Sequence, residues 1–97
     1  MIQIIWTDRA KIDYWQNIEY LEREWTLNEV FNFMDKVDHL LVLLTKSNLI
    51  FKPTNYESVF EVTVTKHISL FYKLSINKDI ELLCFWNTYQ NPEKFSL

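Results

Sequence analysis

Side chains capable of acid–base chemistry lie in the second half of the chain. His67 could act as a general base near neutral pH, and Lys66 and Lys73 could hold a phosphate group. The phenol of Tyr89 could donate a proton or stack on a nucleobase. RNA cleavage without a metal needs a base for the 2′-hydroxyl, positive charge at the scissile phosphate and an acid for the leaving oxygen. These four residues are the candidate catalytic set if the chain cleaves RNA.

Each of these four residues also has a structural interpretation. His67 could be a turn residue that bonds the backbone where a strand begins. Lys66 and Lys73 could protect an exposed strand edge, a common use of lysine in sheets. Tyr89 could pack on the sheet as part of the C-terminal tail.

A polar and aromatic segment follows the last predicted strand, 80–86. Hydrogen-bonding side chains crowd the exit of that strand: Asn87, Tyr89, Gln90 and Asn91. A small protein can build a site at such a strand end. Because side chains alternate along a strand, Phe85 and Trp86 should face opposite sides of the sheet, in structural or interface roles.

The first elements that must position these residues are a short strand and a helix. Residues 1–6 are apolar apart from Gln3 and are predicted to form the strand. Thr7 is a good helix N-cap, and Asp8 follows in the first turn, where the helix dipole favours an acid. Apolar side chains then recur at helical spacing: Ala10, Tyr14, Ile18, Leu21 and Trp25.

A second helix is predicted from the capping box formed by Thr26 and Glu29. It should end near Lys46, with 47–48 as its stop, and the very short link predicts an antiparallel helix hairpin. Its apolar stripe comprises Val30, Phe33, Val37, Leu40, Leu41 and Leu44. Residues outside the helix stripes or at the strand exit are the candidates for partner contact: Trp15, Tyr20, Phe31, Trp86, Asn87 and Gln90.

A loop over 47–57 precedes three predicted strands, at 59–64, 68–76 and 80–86. Asn77 and Lys78 are a candidate two-residue turn, with Asn suited to the left-handed region. The sequence therefore predicts an α+β fold in one domain, 1–97. Its order is β-α-α-β-β-β, with a helix hairpin on one face of an antiparallel meander that the first strand joins.

Composition excludes several classes of protein. The 97 residues include no glycine, which argues against glycine-rich phosphate loops and requires Asn or Asp at positive φ. Cys84 is the only cysteine, so neither an intramolecular disulfide nor a cysteine metal cluster can form. We expect Cys84 to be a small core residue, and we expect neither a metal nor a cofactor.

Charge is unevenly distributed along the chain. Residues 1–45 contain four Lys or Arg against eight Asp or Glu, net −4, whereas 46–97 contain six against five, net +1. This pattern lacks the basic footprint of a tight, autonomous nucleic-acid binder. The N-terminal apolar run is too short for a signal peptide, and no run approaches a membrane span, so a cytoplasmic protein without a membrane partner is expected.

Four segments carry a resemblance to a known family. They are Thr7-Asp8 after a Trp-ended strand, and residues 13–21, 66–73 and 85–92. In this order on a β-α-α-β-β-β chain they resemble the RelE/ParE superfamily of bacterial toxins from type II toxin–antitoxin modules. The resemblance implies a toxin held inactive by an antitoxin that wraps it. Free toxin would either cleave mRNA on the ribosome, like RelE, or poison DNA gyrase, like ParE.

The chain departs from both branches of this family. RelE-like ribonucleases carry several Lys and Arg on the sheet, whereas no Arg follows Arg23 here. ParE-like members often have Arg in the strand at 59–64 and after the final strand, where this chain has Glu61 and residues 88–90. We interpret the chain as a ParE-like toxin acting on gyrase. The alternatives are a RelE-like ribonuclease and a non-toxic interaction protein that keeps the fold.

Overall fold

The computed structural model describes residues 2–46, 51–90 and 95–97. Two helices, α1 (Asp8–Glu24) and α2 (Leu27–Lys46), follow a short first strand, β1 (Ile4–Trp6). The remaining strands are β2 (Lys52–Pro53), β3 (Val59–Thr65), β4 (Ile68–Leu74) and β5 (Ile80–Asn87). This order confirms the predicted α+β class. Strand β2 is the one element that the predicted order lacks.

The five strands form one mixed sheet in the order β1-β5-β4-β3-β2. Strands β3, β4 and β5 pair antiparallel as the predicted meander. Strand β1 joins β5 in parallel, with Ile4 opposite Ile80 and Trp6 opposite Leu82. Helix α1 lies against β5 and α2 against β3, which places the exit of β5 beside the hairpin.

Thr7 links the first strand, the first helix and the last strand. Its side-chain oxygen accepts a hydrogen bond from the Ala10 N–H (3.1 Å), as expected of an N-cap. Its hydroxyl also donates to the Leu82 carbonyl (2.7 Å). At the second helix, the Glu29 N–H donates to the Thr26 hydroxyl oxygen (3.4 Å), in agreement with the predicted cap. The two caps fix where both helices begin.

Four aromatic side chains, one from each of four elements, join the hairpin to the sheet. The Tyr14 ring of α1 lies 5.4 Å from Trp6 of β1, 5.4 Å from Phe33 of α2 and 5.7 Å from Phe85 of β5, measured between centroids. Phe33 and Phe85 are almost fully buried. Such aromatic pairs contribute about 0.5–1.5 kcal/mol each beyond their burial.

A β-bulge at Leu83 reverses the alternation of β5. Tyr72 of β4 pairs with Leu82, but Phe71 pairs with Cys84, so Leu83 is the extra residue. Leu82 before the bulge and Phe85 after it both belong to the core under the helices. Cys84 packs with Phe71 on the opposite face, which confirms it as a small core residue.

Several predicted details are wrong. The strands end at Trp6, Thr65, Leu74 and Asn87, and β1 begins only at Ile4, so the predicted limits differ by one to three residues. The predicted loop at 47–57 contains β2, which pairs with β3 through Lys52 opposite Glu61. Trp25, which the spacing puts on the buried stripe, is half exposed, because α1 ends at Glu24 and Trp25 forms the C-cap.

The positive-φ positions also differ from the prediction. In the described residues they are Ser58 (φ 62°) and Lys78 (φ 67°), neither of them an Asn or Asp. The turn at Lys78 is closed by its N–H donating to the Ser75 carbonyl (2.9 Å). The Asp79 N–H donates to the Ser75 hydroxyl (3.0 Å), which adds a second constraint on the turn. The predicted helix stop at 47–48, the first residue of the first strand and the predicted site residue at 91 lie outside the described residues.

Candidate functional site

Beyond the end of β1, side chains of helix α1 form hydrogen bonds with the backbone at the edge of β5. The Phe85 N–H donates to the Asp13 carboxylate (Oδ2, 3.2 Å), and the Asn17 side-chain amide donates to the Phe85 carbonyl (3.2 Å). The paired part of β1 ends opposite Leu82, so α1 side chains satisfy backbone groups that a longer β1 would have paired. Asp13 and Asn17 lie four residues apart and therefore reach the same strand.

The Asn17 and Asn87 side chains extend this contact to the end of β5. Asn87 donates to the Asn17 side-chain oxygen (3.2 Å), and its own side-chain oxygen accepts from the Tyr89 N–H (2.9 Å). The Gln90 N–H donates to the Asn87 carbonyl (2.9 Å). These bonds turn the chain sharply where it leaves the sheet, and they set the position of Tyr89.

Asp13 is the described carboxylate most affected by its surroundings. Burial raises the pKa of Asp13 above its ordinary value of 3.8, while the hydrogen bond from Phe85 and the charge of Arg9 oppose that rise. The Arg9 guanidinium lies 3.7 Å from the Asp13 carboxylate. The carboxylate is therefore held between a backbone donor and a partly exposed cation.

His67 and Tyr89 meet beside the exit of β5. Their ring centroids are 4.4 Å apart. The Thr88 N–H donates to the His67 carbonyl (2.8 Å), and His67 Nδ1 lies 3.3 Å from the Thr88 hydroxyl. His67 thus occupies the turn between β3 and β4 and bonds backbone, as its structural interpretation expected, while its ring also contacts a candidate acid.

Tyr89 is about half exposed (53 %) and lies near a third aromatic ring, with the Tyr20 centroid 5.9 Å away. These two tyrosines line two adjoining clefts. One cleft, of about 480 Å³, is named here the turn cleft. The other has a volume of about 320 Å³ and contains Gln16, Arg23 and Gln90.

The turn cleft lies between the two helices, the β3–β4 turn and the exit of β5. It combines aromatic, basic and amide side chains, with one acid. Its principal polar and aromatic residues are Tyr20, Trp25, Glu29, Asn32, Lys36, Lys66, His67, Asn87 and Tyr89. This chemistry suits a ligand with a flat ring and a negative charge.

The predicted catalytic set is divided by the fold. Lys66, His67 and Tyr89 all line the turn cleft. Lys73 lies near the other end of β4, paired with Glu81, where it lines a separate cleft. Five strand steps separate Ile68 from Lys73, roughly 17 Å at the usual rise per residue.

The residues predicted to contact a partner lie in different places. Trp15 and Phe31 are well exposed on the helices, and Tyr20 is half-buried between the two clefts. Gln90 is exposed in the smaller cleft. Asn87 is only 2 % exposed, and its amide serves the internal bonds described above.

Trp86 lies on the face of the sheet opposite the helices. Its ring is 4.9 Å from that of Phe95, which is also 5.0 Å from Phe71. The Arg9 guanidinium donates to the Ser96 carbonyl, which ties the same tail to α1. Residues 95–97 thus cover Phe71, Cys84 and Trp86, and this face presents apolar rather than basic side chains at that position.

Sequence reasoning missed Asp13 and Asn17 as structural partners of β5. A signal was present, because Asn17 stands one turn before Leu21 on the apolar face of α1, where a polar side chain needs a hydrogen-bond partner. Within residues 2–46, 51–90 and 95–97, His, Cys, Asp and Glu side chains form no group of three suited to a metal ion. Neither helix in this described part is both long and apolar enough to cross a membrane.

Comparison with known proteins gives a consistent result at the level of structure. A chain of the chromosomal ParDE toxin–antitoxin system of P. aeruginosa superposes with a TM-score of 0.74 at 14 % identity, covering 90 % of this chain and 96 % of that one. The YoeB dimer from Staphylococcus aureus gives 0.62 at 14 % identity, with coverages of 88 % and 94 %.

A chain of the E. coli DinJ-YafQ complex gives a TM-score of 0.60 at 15 % identity, covering 92 % of this chain and 96 % of that one. No family model matches the sequence. No curated protein matches it either. The likeness is therefore one of structure, and it spans almost the whole of each chain. From strand order, helix hairpin and these superpositions, the chain has the fold of the RelE/ParE toxins.

Proposed function

We propose that this chain is the toxin of a type II toxin–antitoxin module and that, like ParE, it acts on DNA gyrase. The observation that carries the proposal is the near-complete superposition on a chain of the ParDE system, with a TM-score of 0.74. The sequence motifs at 13–21, 66–73 and 85–92 also support it, because they resemble those of the RelE/ParE toxins.

The position of Lys73 favours gyrase over RNA as the target. A ribonuclease without a metal needs base, acid and positive charge around one phosphate. Here Lys73 is separated from Lys66 and His67 by most of the length of β4. The face opposite the helices is covered near Trp86 by apolar side chains of the tail. A protein that traps an enzyme by surface contact has no such requirement for a compact basic set.

Induction of the chain in a bacterial host tests this proposal. We expect growth arrest, induction of a DNA-damage reporter and inhibition of supercoiling by purified gyrase, with mRNA left intact. Arrest with cut mRNA and normal supercoiling would contradict the gyrase assignment. Unimpaired growth with well-folded protein and normal supercoiling would instead favour the non-toxic interaction protein.

A ribonuclease remains the second candidate, because Lys66, His67 and Tyr89 share one cleft and the His67 and Tyr89 rings are 4.4 Å apart. In that case His67→Ala and Tyr89→Phe should each remove mRNA cleavage and toxicity. Lys73→Ala is the matched control, because that lysine lies in a different cleft. Equal toxicity of all three variants would exclude this site.

The partner under this proposal is a cognate antitoxin. Similar chains were solved in the DinJ-YafQ and YoeB-YefM complexes. Among the described strands, the two-residue strand β2 forms the outer edge of the sheet beside β3. An extended antitoxin segment could add there as a strand. Co-expression of the neighbouring gene should restore growth and yield a complex that co-purifies.

A further inference from the structure

The turn cleft contains an aromatic ring that is exposed and yet held in place. Tyr89 is about half exposed (53 %), although its ring centroid lies 4.4 Å from that of His67 and 5.9 Å from that of Tyr20. Its backbone is fixed as well, because the Tyr89 N–H donates to the side-chain oxygen of Asn87, which is almost fully buried. Such a ring can stack on a flat ligand with little loss of conformational entropy.

The neighbouring Tyr20 ring is less available to a ligand. The Arg23 guanidinium carbon lies over the Tyr20 ring, 6.0 Å from its centroid. Tyr20 is also half-buried, whereas Tyr89 is exposed. Tyr89 is therefore the ring on which a flat ligand would stack, and Tyr20 packs beside it.

Two lysines give the turn cleft a positive charge within an acidic chain. Lys36 comes from α2 and Lys66 from the β3–β4 turn, and Glu29 is the one acid in the lining. Among the residues that the structure describes, the ion pairs involve Arg9 and Arg23, so neither lysine has a carboxylate partner. Because the whole chain carries a net charge of −3, this local excess of cations favours an anionic ligand.

One face of α2 contributes three different polar groups to the cleft. Glu29, Asn32 and Lys36 follow one another at spacings of three and four residues, so they lie in one line along the helix. The ammonium can bind a phosphate, the amide can donate to and accept from the edge of a base, and the carboxylate can accept from sugar hydroxyls. Phosphate, base and sugar are together the parts of a nucleotide.

The surroundings of the cleft favour one nucleotide over a longer strand. Its volume of about 480 Å³ lies in the usual range of small-molecule sites. In the adjoining cleft a second phosphate would meet Glu19 and an Arg23 that is already paired with Glu24. The chain contains no glycine, so side chains rather than a glycine-rich loop must hold the phosphate.

We propose that the turn cleft binds a free nucleoside monophosphate. The base stacks on Tyr89, the phosphate pairs with Lys36 and Lys66, and Glu29 accepts from the sugar hydroxyls. This inference goes beyond the proposed function and does not depend on it, because it concerns a small ligand and not the target of the toxin.

Matched variants of the whole chain test the site. Tyr89→Ala is compared with Tyr56→Ala, a tyrosine of similar exposure (51 %) in the loop before β3. Lys66→Ala is compared with Lys52→Ala, which removes an exposed lysine from a different cleft. Tyr89→Phe keeps the ring and removes only the hydroxyl. Circular dichroism and urea unfolding check that each variant is folded.

The probes are AMP, GMP, CMP and UMP, titrated by calorimetry up to millimolar concentration. We expect at least one of them to bind saturably, and the matching nucleoside and inorganic phosphate each to bind about tenfold more weakly. Tyr89→Ala and Lys66→Ala should each weaken nucleotide binding about tenfold, through loss of stacking and of an ionic contact. Tyr89→Phe, Tyr56→Ala and Lys52→Ala should change it by about twofold at most. The Lys66→Ala effect should shrink at high salt.

Three results would overturn the inference. They are the absence of saturable binding by all four nucleotides, affinity that Tyr89→Ala and Lys66→Ala both leave unchanged, and much tighter binding of a short single-stranded RNA than of any mononucleotide. Equal losses in Tyr89→Ala and Tyr89→Phe would overturn the stacking arrangement. All of these results leave the proposed function intact, whereas a chain that binds a nucleotide but neither arrests growth nor inhibits gyrase counts against the proposed function alone.

Discussion

The side-chain amides of Asn17 and Asn87 meet inside the protein, 70 residues apart in sequence, through a hydrogen bond of 3.2 Å. Both residues are at least 97 % buried. The bond joins the middle of α1 to the end of β5, from which Tyr89 departs into the turn cleft. The geometry of the candidate site therefore depends on a polar contact within the core.

Removal of either amide should destabilise the protein. Asn87→Ala deprives the Asn17 oxygen and the Tyr89 N–H of their partners, and we expect it to lower the free energy of unfolding by about 1–3 kcal/mol. Asn17→Ala should cost a similar amount, because the Phe85 carbonyl also loses its donor. In a double-mutant cycle by urea unfolding, the double variant should lose less than the sum of the two. Strict additivity would show that the amides are not coupled.

Acid titration should reveal the burial of Asp13. Its folded-state pKa lies above 3.8, so the folded protein holds this proton more tightly than the unfolded chain does. The stability from protonation is complete below pH 3.8 and is lost as the pH rises through the raised pKa. The Asp13→Asn side chain stays uncharged as the pH rises, so this loss of stability does not occur in the variant. Its amide oxygen can still accept from the Phe85 N–H.

The stability of Asp13→Asn relative to wild type should therefore increase as the pH is raised from 3.8. Urea unfolding at a series of pH values measures this difference. A relative stability of Asp13→Asn that falls over the same pH range would contradict the assignment.

Cys84 should be unreactive in the folded protein. Burial raises the pKa of its thiol from 9.0 to about 11, which lowers the thiolate fraction at pH 8 about 100-fold. The side chain is also inaccessible on the face covered by residues 95–97. We expect a disulfide reagent to label Cys84 at least about 100-fold more slowly in buffer than in urea. Rapid labelling of folded protein would show that the tail does not cover this face.

Glycine at position 78 should stabilise the turn before β5. Lys78 has a φ of 67°, a region that costs an ordinary residue about 1–2 kcal/mol and glycine almost nothing. After allowing for the greater freedom of glycine in the unfolded chain, we expect Lys78→Gly to raise the free energy of unfolding by about 0.5 kcal/mol. Asn77→Gly is the control and should lower it by about 0.4–1 kcal/mol. The urea midpoints of the two variants, each compared with wild type, show which substitution stabilises the protein and which destabilises it.

Helix caps, apolar spacing and strand patterns in the sequence predict both helices and most of the sheet. Thr7 and Thr26 marked both helix starts, and the spacing of Ala10, Ile18 and Leu21 identified the buried side of α1. The chemistry of Lys66, His67 and Tyr89 makes them candidate site residues in the sequence, and the fold brings all three to the turn cleft.

The missed features depend on contacts between distant parts of the chain. β2 consists of two residues, one of them Pro53, and only its pairing with β3 defines it. The separation of Lys73 from Lys66 and His67 follows from its place five residues along β4, which the strand predicted at 68–76 already implied. The position of Asn17 on the apolar face of α1 indicates a buried partner, but its partners, Phe85 and Asn87, are about 70 residues away in sequence.

The bulge at Leu83 changes which positions of β5 face the helices. Before it, even-numbered positions such as Leu82 face the helices; after it, odd-numbered positions such as Phe85 do. Deleting Leu83 would therefore remove the extra residue and leave a uniform alternation, in which Cys84 stays opposite Phe71 and Phe85 still faces the helices. The strand would lose its local bend without turning over. In a family alignment, a gap at this single position would mark a regular last strand with the same strand exit.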